Sequence, residues 1–141
     1  MQVIPYQNEH LQLIHLQSAQ SYFETIIDHA YAMQLEKHES FTVMVEGKII
    51  ACCGVVRPWT GRACAWALLA KDAGAHFVAL HRAAKGYFDL CADRRIEALT
   101  DSDFLQGHRW LKMLGFRREG QMQYYTPDGR HVDLYARVKN V

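Results

Sequence analysis

Residues 95–138, RIEALTDSDFLQGHRWLKMLGFRREGQMQYYTPDGRHVDLYARV, restrict the fold more than any other stretch. The alternation in 95–100 predicts a strand. A short helix follows over roughly 103–114, with Ser102 or Asp101 as its cap and Leu111 and Leu114 facing inward. Gly115 closes it. A hairpin then pairs roughly 117–125 with 131–138 around Thr126-Pro127-Asp128-Gly129, where proline and glycine each meet a turn requirement. Strand, helix and hairpin in that succession demand a sheet with helices packed against it.

The upstream chain fits such a sheet. Residues 2–6 suit an edge strand, because Pro5 lacks a backbone donor. Asn8 is positioned to cap a helix from Glu9 that turns Leu11, Ile14 and Leu13 inward. In 19–35, Tyr22, Phe23, Ile26, Ile27, Ala30 and Tyr31 recur at helical spacing and make one apolar face. FTVMVEGKIIACCGVV predicts a hairpin whose turn is Glu46-Gly47-Lys48, with Gly47 free to take a positive φ. RPWTGR (57–62) is expected to be a second turn, and 63–70 a strand. Residues 75–92 form the longest helix, with Phe77, Leu80, Ala84, Tyr87, Phe88 and Cys91 on its inner face. The order is β-α-α-β-β-β-α-β-α-β-β in a single domain, 1–141, with no repeat and no interdomain linker.

The chain has 141 residues and a formal net charge of +1, with half of its residues apolar. That is enough for a real core and too neutral for a general attraction to nucleic acid or membrane. No apolar run reaches the ~20 residues of a membrane span. MQVIPYQNEHLQLIH has no secretory pattern, so a cytoplasmic location is expected. Cys52, Cys53, Cys64 and Cys91 form no CxxC pair and are expected as free thiols, Cys52 and Cys53 pointing to opposite faces of a strand. The eight histidines show no HExxH and no compact ligand spacing, so no metal site is expected.

The element order, and within it RWLKMLGFRREG, resembles the GNAT superfamily of acyl-CoA-dependent N-acyltransferases over about residues 41–138. More narrowly, EGKIIACCGV, AWALL, RIEA, RWLKMLGF and YTPDG are similar to short GNAT-like proteins of tailed phages, some of them internal virion or morphogenesis proteins. The resemblance implies an α/β (α+β) fold: a mixed, mostly antiparallel sheet of six to seven strands with helices on both faces. It also implies acetyl-CoA as cofactor, its pyrophosphate held by backbone N–H groups between the fourth strand and the long helix. The family pattern Gln/Arg-x-x-Gly-x-Gly/Ala meets Lys71-Asp72-Ala73-Gly74-Ala75-His76 here. The residues implied in cofactor binding are Leu69, Ala70, Lys71, Gly74, Ala75 and His76, with Arg82 or Lys85 as further charge. His76 and the bulky Val78 depart from the pattern. A strand-to-helix connection with Gly74 as its turn residue is the alternative.

The chemistry implied is attack of an amine on a thioester, which needs a base for the amine proton and an acid for the thiolate. The family's tyrosine acid falls on Leu111, and strand 63–70 holds no carboxylate. Substitutes are Asp101, Asp103 and Tyr124, with Glu97, Tyr125, His131, His76 and His108 behind them. Each has a plainer role: Asp101 or Asp103 as helix cap, Glu97 on the polar face of its strand, Tyr124 and Tyr125 in sheet packing, His108 on the exposed side of a helix. Trp66 is expected in the core. Trp59, between Arg57 and Arg62, could line a substrate or partner surface or simply cover a turn. Two functions follow from the resemblance. One is acetyl transfer to a primary amine of a protein or small molecule. The other is a catalytically inactive phage protein acting in virion assembly or binding a virion or host protein.

Overall fold

The computed structural model describes residues 1–20 and 29–139. Among them the order is β1 (Gln2–Pro5), α1 (His10–Leu13), α2 (His29–Glu36), β2 (Glu39–Val45), β3 (Lys48–Trp59), β4 (Arg62–Leu69), α3 (Phe77–Leu90), β5 (Arg95–Asp101), α4 (Leu105–Met113), β6 (Arg117–Met122) and β7 (Val132–Val138). The strands make one sheet in the order β1-β2-β3-β4-β5-β7-β6. The β1–β2, β2–β3, β5–β7 and β6–β7 pairs are antiparallel, and β4–β5 is parallel over Arg62–Cys64 and Arg95–Glu97. This is the mixed, mostly antiparallel α/β sheet expected from the sequence. Two compact units divide the chain: Met1–Val56 with Trp66–Ala79, and Arg57–Ala65 with Leu80–Val141.

In the first unit, Glu46 (φ 49°) and Gly47 (φ 78°) both adopt left-handed backbone, so the predicted hairpin closes on a two-residue turn. The register slips after Val43, which faces Ala51 while Met44 faces Ile49. Ile50 is the extra residue of this bulge and is buried. Tyr6, Ile14, Leu16, Leu35, Cys52, Leu68 and Ala70 form the core, with Leu11 and Trp66 against it. Each large apolar side chain buried there stabilises the fold by about 1.5–3 kcal/mol. Three expectations need correction. Leu13 is exposed, because α1 is a single turn and presents only one face. Asn8 does not cap it; its backbone N–H and side-chain amide both go to Glu36 Oε1 (2.6 and 3.1 Å). In α2 the buried residues are Ala32 and Leu35, while Ala30 and Tyr31 are exposed. The small Ala32 sits where the Tyr6 hydroxyl donates to its carbonyl (3.1 Å). Tyr22, Phe23, Ile26 and Ile27 lie outside the described residues.

In the second unit, β3 continues through Trp59, so RPWTGR is not all turn; only Thr60-Gly61 turns, with Gly61 at φ 92°. Pro58 is tolerated because the pairing of β3 with β2 ends at Val55 and no ladder bond is lost beyond it. Ile96, Ala98 and Thr100 of β5 alternate inward against β7, whose Tyr135 and Ala136 are buried. Along α3, Leu80 and then Cys91 beyond its end are buried, and Trp110 Nε1 of α4 donates to His81 Nδ1 (3.3 Å). Residue 107 of α4 must be glycine: a Cβ there would lie 2.1 Å from Thr100 Oγ1. The helix ends in a Schellman motif, with Phe116 N–H to Leu111 O (2.9 Å), Gly115 N–H to Lys112 O (3.1 Å) and Gly115 at φ 92°. Neither Asp101 nor Ser102 caps it. The helix begins at Leu105, and Phe104 at its cap position makes no side-chain bond.

Candidate functional site

The end of β4 is tied down within the first unit. Leu69 N–H donates to Gln20 Oε1 (2.9 Å), Ala70 N–H to Ile50 O (2.9 Å) and Lys71 N–H to His15 O (2.8 Å). Those three amides are therefore engaged by the protein. A single 3-10 turn, Ala73–His76, follows and runs straight into α3. In it Ala75 N–H reaches Asp72 O (3.3 Å), whereas Gly74 N–H makes no hydrogen bond among the described residues. Gly74 and Ala75 are exposed, as are Val78 and Ala79 in the first turn of α3. The first amide of α3, Phe77 N–H, is already spent on Gly74 O, and the turn stands at the positive end of the helix dipole. No acidic residue occupies that first turn.

Gly74 lies within that connecting turn. Its φ is not in the left-handed region, and an added Cβ would meet nothing within 4 Å. Neither backbone strain nor the space around an added Cβ requires glycine here. His76 is half-buried, and Lys71 and Asp72 are both exposed, so the local charge nearly cancels. Lys85 is paired with Asp89 (2.8 Å).

In the second unit, Asp101 and Asp103 lie at the C-terminal end of β5 and Tyr124 in the loop between β6 and β7. Asp101 Oδ1 accepts the Asp103 N–H (3.0 Å), and its Oδ2 lies 2.8 Å from Arg130. Tyr124 has φ 51° and is 74% exposed; its N–H donates to His131 Nδ1 (2.9 Å) and its ring meets the imidazole edge-on. Ser102 N–H in turn reaches His131 O (3.0 Å). Asp101 thus meets Arg130 and Tyr124 meets His131, while Asp103 is joined to Asp101 by its backbone N–H. Asp101 is a turn-former and ion-pair member. Asp103 is an exposed carboxylate with no ion pair among the described residues. The expectation that Tyr124 and Tyr125 pack on the sheet is overturned, since both rings face solvent in the hairpin loop.

Glu97 is not available as a base. Arg62 grips it with two 2.8 Å bonds and Arg95 adds one of 2.7 Å. The Arg62 bonds, then those of Arg95, outweigh burial and hold its carboxyl down at about 2. Leu111 is half-buried in α4 and offers no proton.

His108 contradicts its expected exposure. Its Nε2 donates to Ser102 O (2.9 Å), which leaves Nδ1 to accept from the Tyr135 hydroxyl (2.6 Å). Burial pushes the Tyr135 phenol up. Beside it, Asp133 accepts from Ser102 Oγ (2.6 Å) and Arg118 Nε (2.7 Å). Burial opposes its charge, but these donors together hold its pKa below the usual range. The signal was available: His108, Leu111 and Leu114 are spaced by three, so an inward Leu111 and Leu114 carry His108 inward too. Among the described residues, no helix is long and apolar enough to cross a membrane.

No family model and no curated protein matches the sequence. Solved structures do resemble its fold. Ard1 from Thermoplasma volcanium superposes with a TM-score of 0.79 at 12% identity, covering 99% of this chain and 98% of that one. A GNAT-family acetyltransferase from Bacillus anthracis gives 0.67 at 14%, covering 96% and 93%. A ribosomal-protein-S5-alanine acetyltransferase from Vibrio fischeri gives 0.65 at 17%, covering 96% and 91%. At these identities it is the fold that is shared: the chain is built as the GNAT acetyltransferases are.

Proposed function

We propose that the chain is an acyl-CoA-dependent N-acyltransferase that moves an acetyl group to a primary amine. The observation that carries this is the turn after β4, where the exposed, unengaged amide of Gly74 precedes the first turn of α3. A fold shared with acetyltransferases makes that turn the place to expect the phosphates of acetyl-CoA. Gly74 N–H, at the positive end of the α3 dipole, takes the pyrophosphate, and Lys71 adds a positive charge. Bound acetyl-CoA supplies the activated acyl group. Asp103, the free carboxylate at the end of β5, takes the proton of the attacking ammonium. Tyr124 returns a proton to the departing thiolate, with Asp101 holding the turn that presents Asp103.

Acetyl-CoA is expected to raise the melting temperature by several degrees when present at about a hundred times its Kd. Gly74→Val should change the basal melting temperature little, since an added Cβ meets nothing within 4 Å, and lose the shift. No shift at millimolar acetyl-CoA, or an undiminished shift in Gly74→Val, refutes the assignment. Leu111 in place of an acid favours one alternative: a non-catalytic domain that binds a virion or host protein. Its sign is a stoichiometric partner recovered with the protein and no acetyl transfer to any amine offered.

A further inference from the structure

The second unit contains a cleft of about 520 Å³ lined by Arg57, Trp59, Thr60, Gly61, Ala92 and Asp93, and the acyl-transfer chemistry uses none of them. That volume lies within the range of small-molecule sites. Its walls are pre-organised. Asp93 is buried and takes a forked contact from Arg57 (Nε 3.1 Å, Nη2 2.9 Å), with a further bond from the Cys91 thiol (2.9 Å). Trp59 is 63% exposed, yet it is not loose: the Arg62 guanidinium lies 4.6 Å from its ring centre, and Glu97 anchors Arg62. Gly61 O accepts Arg95 N–H (3.0 Å) and fixes the turn between them. A large indole held in an exposed position presents a stacking surface whose ordering cost is already met.

Charge narrows the occupant. Arg57 and Arg62 are each neutralised by a carboxylate, so the walls themselves call for a flat, uncharged ring. Arg94 is not part of the lining but follows the wall residue Asp93 directly, is exposed, and has no ion pair among the described residues; its carbonyl is engaged by Lys139 N–H. We infer that the cleft binds a flat aromatic anion, its ring stacked on Trp59 and its anionic group met by Arg94. A nucleotide and an aromatic carboxylate share that chemistry.

Isothermal titration with AMP and with benzoate separates the two sources, with adenosine and inorganic phosphate as half-ligands. At least one of the two anions is expected to bind saturably, one to one, at millimolar concentration or below. Binding of AMP alone identifies the nucleotide class; binding of both identifies aryl anions generally. Trp59→Ala removes an exposed side chain and should weaken binding about tenfold or more. Arg94→Ala should weaken the anion and leave adenosine unaffected. Gly74→Val should bind as wild type, which separates this cleft from the turn after β4. The inference is overturned if neither anion saturates below roughly 5 mM, or if Trp59→Ala, shown folded by circular dichroism, binds as tightly as wild type.

Discussion

Glu97, Asp101 and Asp103 are all carboxylates on or just after β5, and their neighbours give them different work. Glu97 accepts three short bonds from two arginines and ionises only near 2, so it is a strut. Asp101 spends one oxygen on a backbone amide and the other beside Arg130. Asp103 is exposed and has no ion pair among the described residues. The bound state of Glu97 predicts a pH dependence of stability. Its folded value, about 2, lies below the ordinary 4.5, so its contribution is complete above 4.5 and is lost as pH falls toward 2. Glu97→Gln should cost about 1–3 kcal/mol near neutral pH and flatten part of the acid limb. Asp133, also held below its usual range, supplies another part. Urea denaturation of both proteins from neutral to acid pH measures this. Parallel acid limbs would show that the Arg62 and Arg95 contacts contribute nothing.

At the level of elements, glycines separate what a sequence exposes from what it conceals. Gly47, Gly115 and Gly129 have positive φ at turns that their neighbours announce, and all three turns were expected. Gly107 has ordinary helical surroundings in sequence, and its necessity comes from Thr100 across the α4–β5 contact. Only tertiary structure shows that. Gly107→Ala should therefore destabilise by about 1–3 kcal/mol, while Gly74→Ala should stay within about 1 kcal/mol. Comparing their urea midpoints tests the contrast, and equal midpoints would mean that α4 can shift away from β5 freely. The order of elements was legible because apolar periodicity is local. The capping of α1 and α4, the face of α2 and the exposure of Tyr124 were not, because distant groups decided each. Asn8 is claimed by Glu36, twenty-eight residues on, and Tyr124 is held by His131. His108 was legible and misjudged, since its spacing from Leu111 already placed it inward.

For the whole molecule, charge decides how a polyanionic cofactor could be held. A formal net charge of +1 produces no long-range attraction. Lys85 is paired with Asp89, and Lys71 is followed by Asp72, so neither concentrates positive potential at long range. If acetyl-CoA is held as proposed, by a directed amide donor and a helix dipole, the attraction acts within one helical turn and salt screens it little. Raising sodium chloride from about 50 to 500 mM shortens the screening length from roughly 14 to 4 Å. The affinity should then fall by less than about tenfold. A grip made by mobile lysines and arginines would instead lose affinity steeply over that range. Titrating acetyl-CoA at both salt concentrations, with Gly74→Val alongside, tells these apart. A steep loss in wild type, with Gly74→Val indistinguishable from it, would move the anion site from the backbone turn to basic side chains.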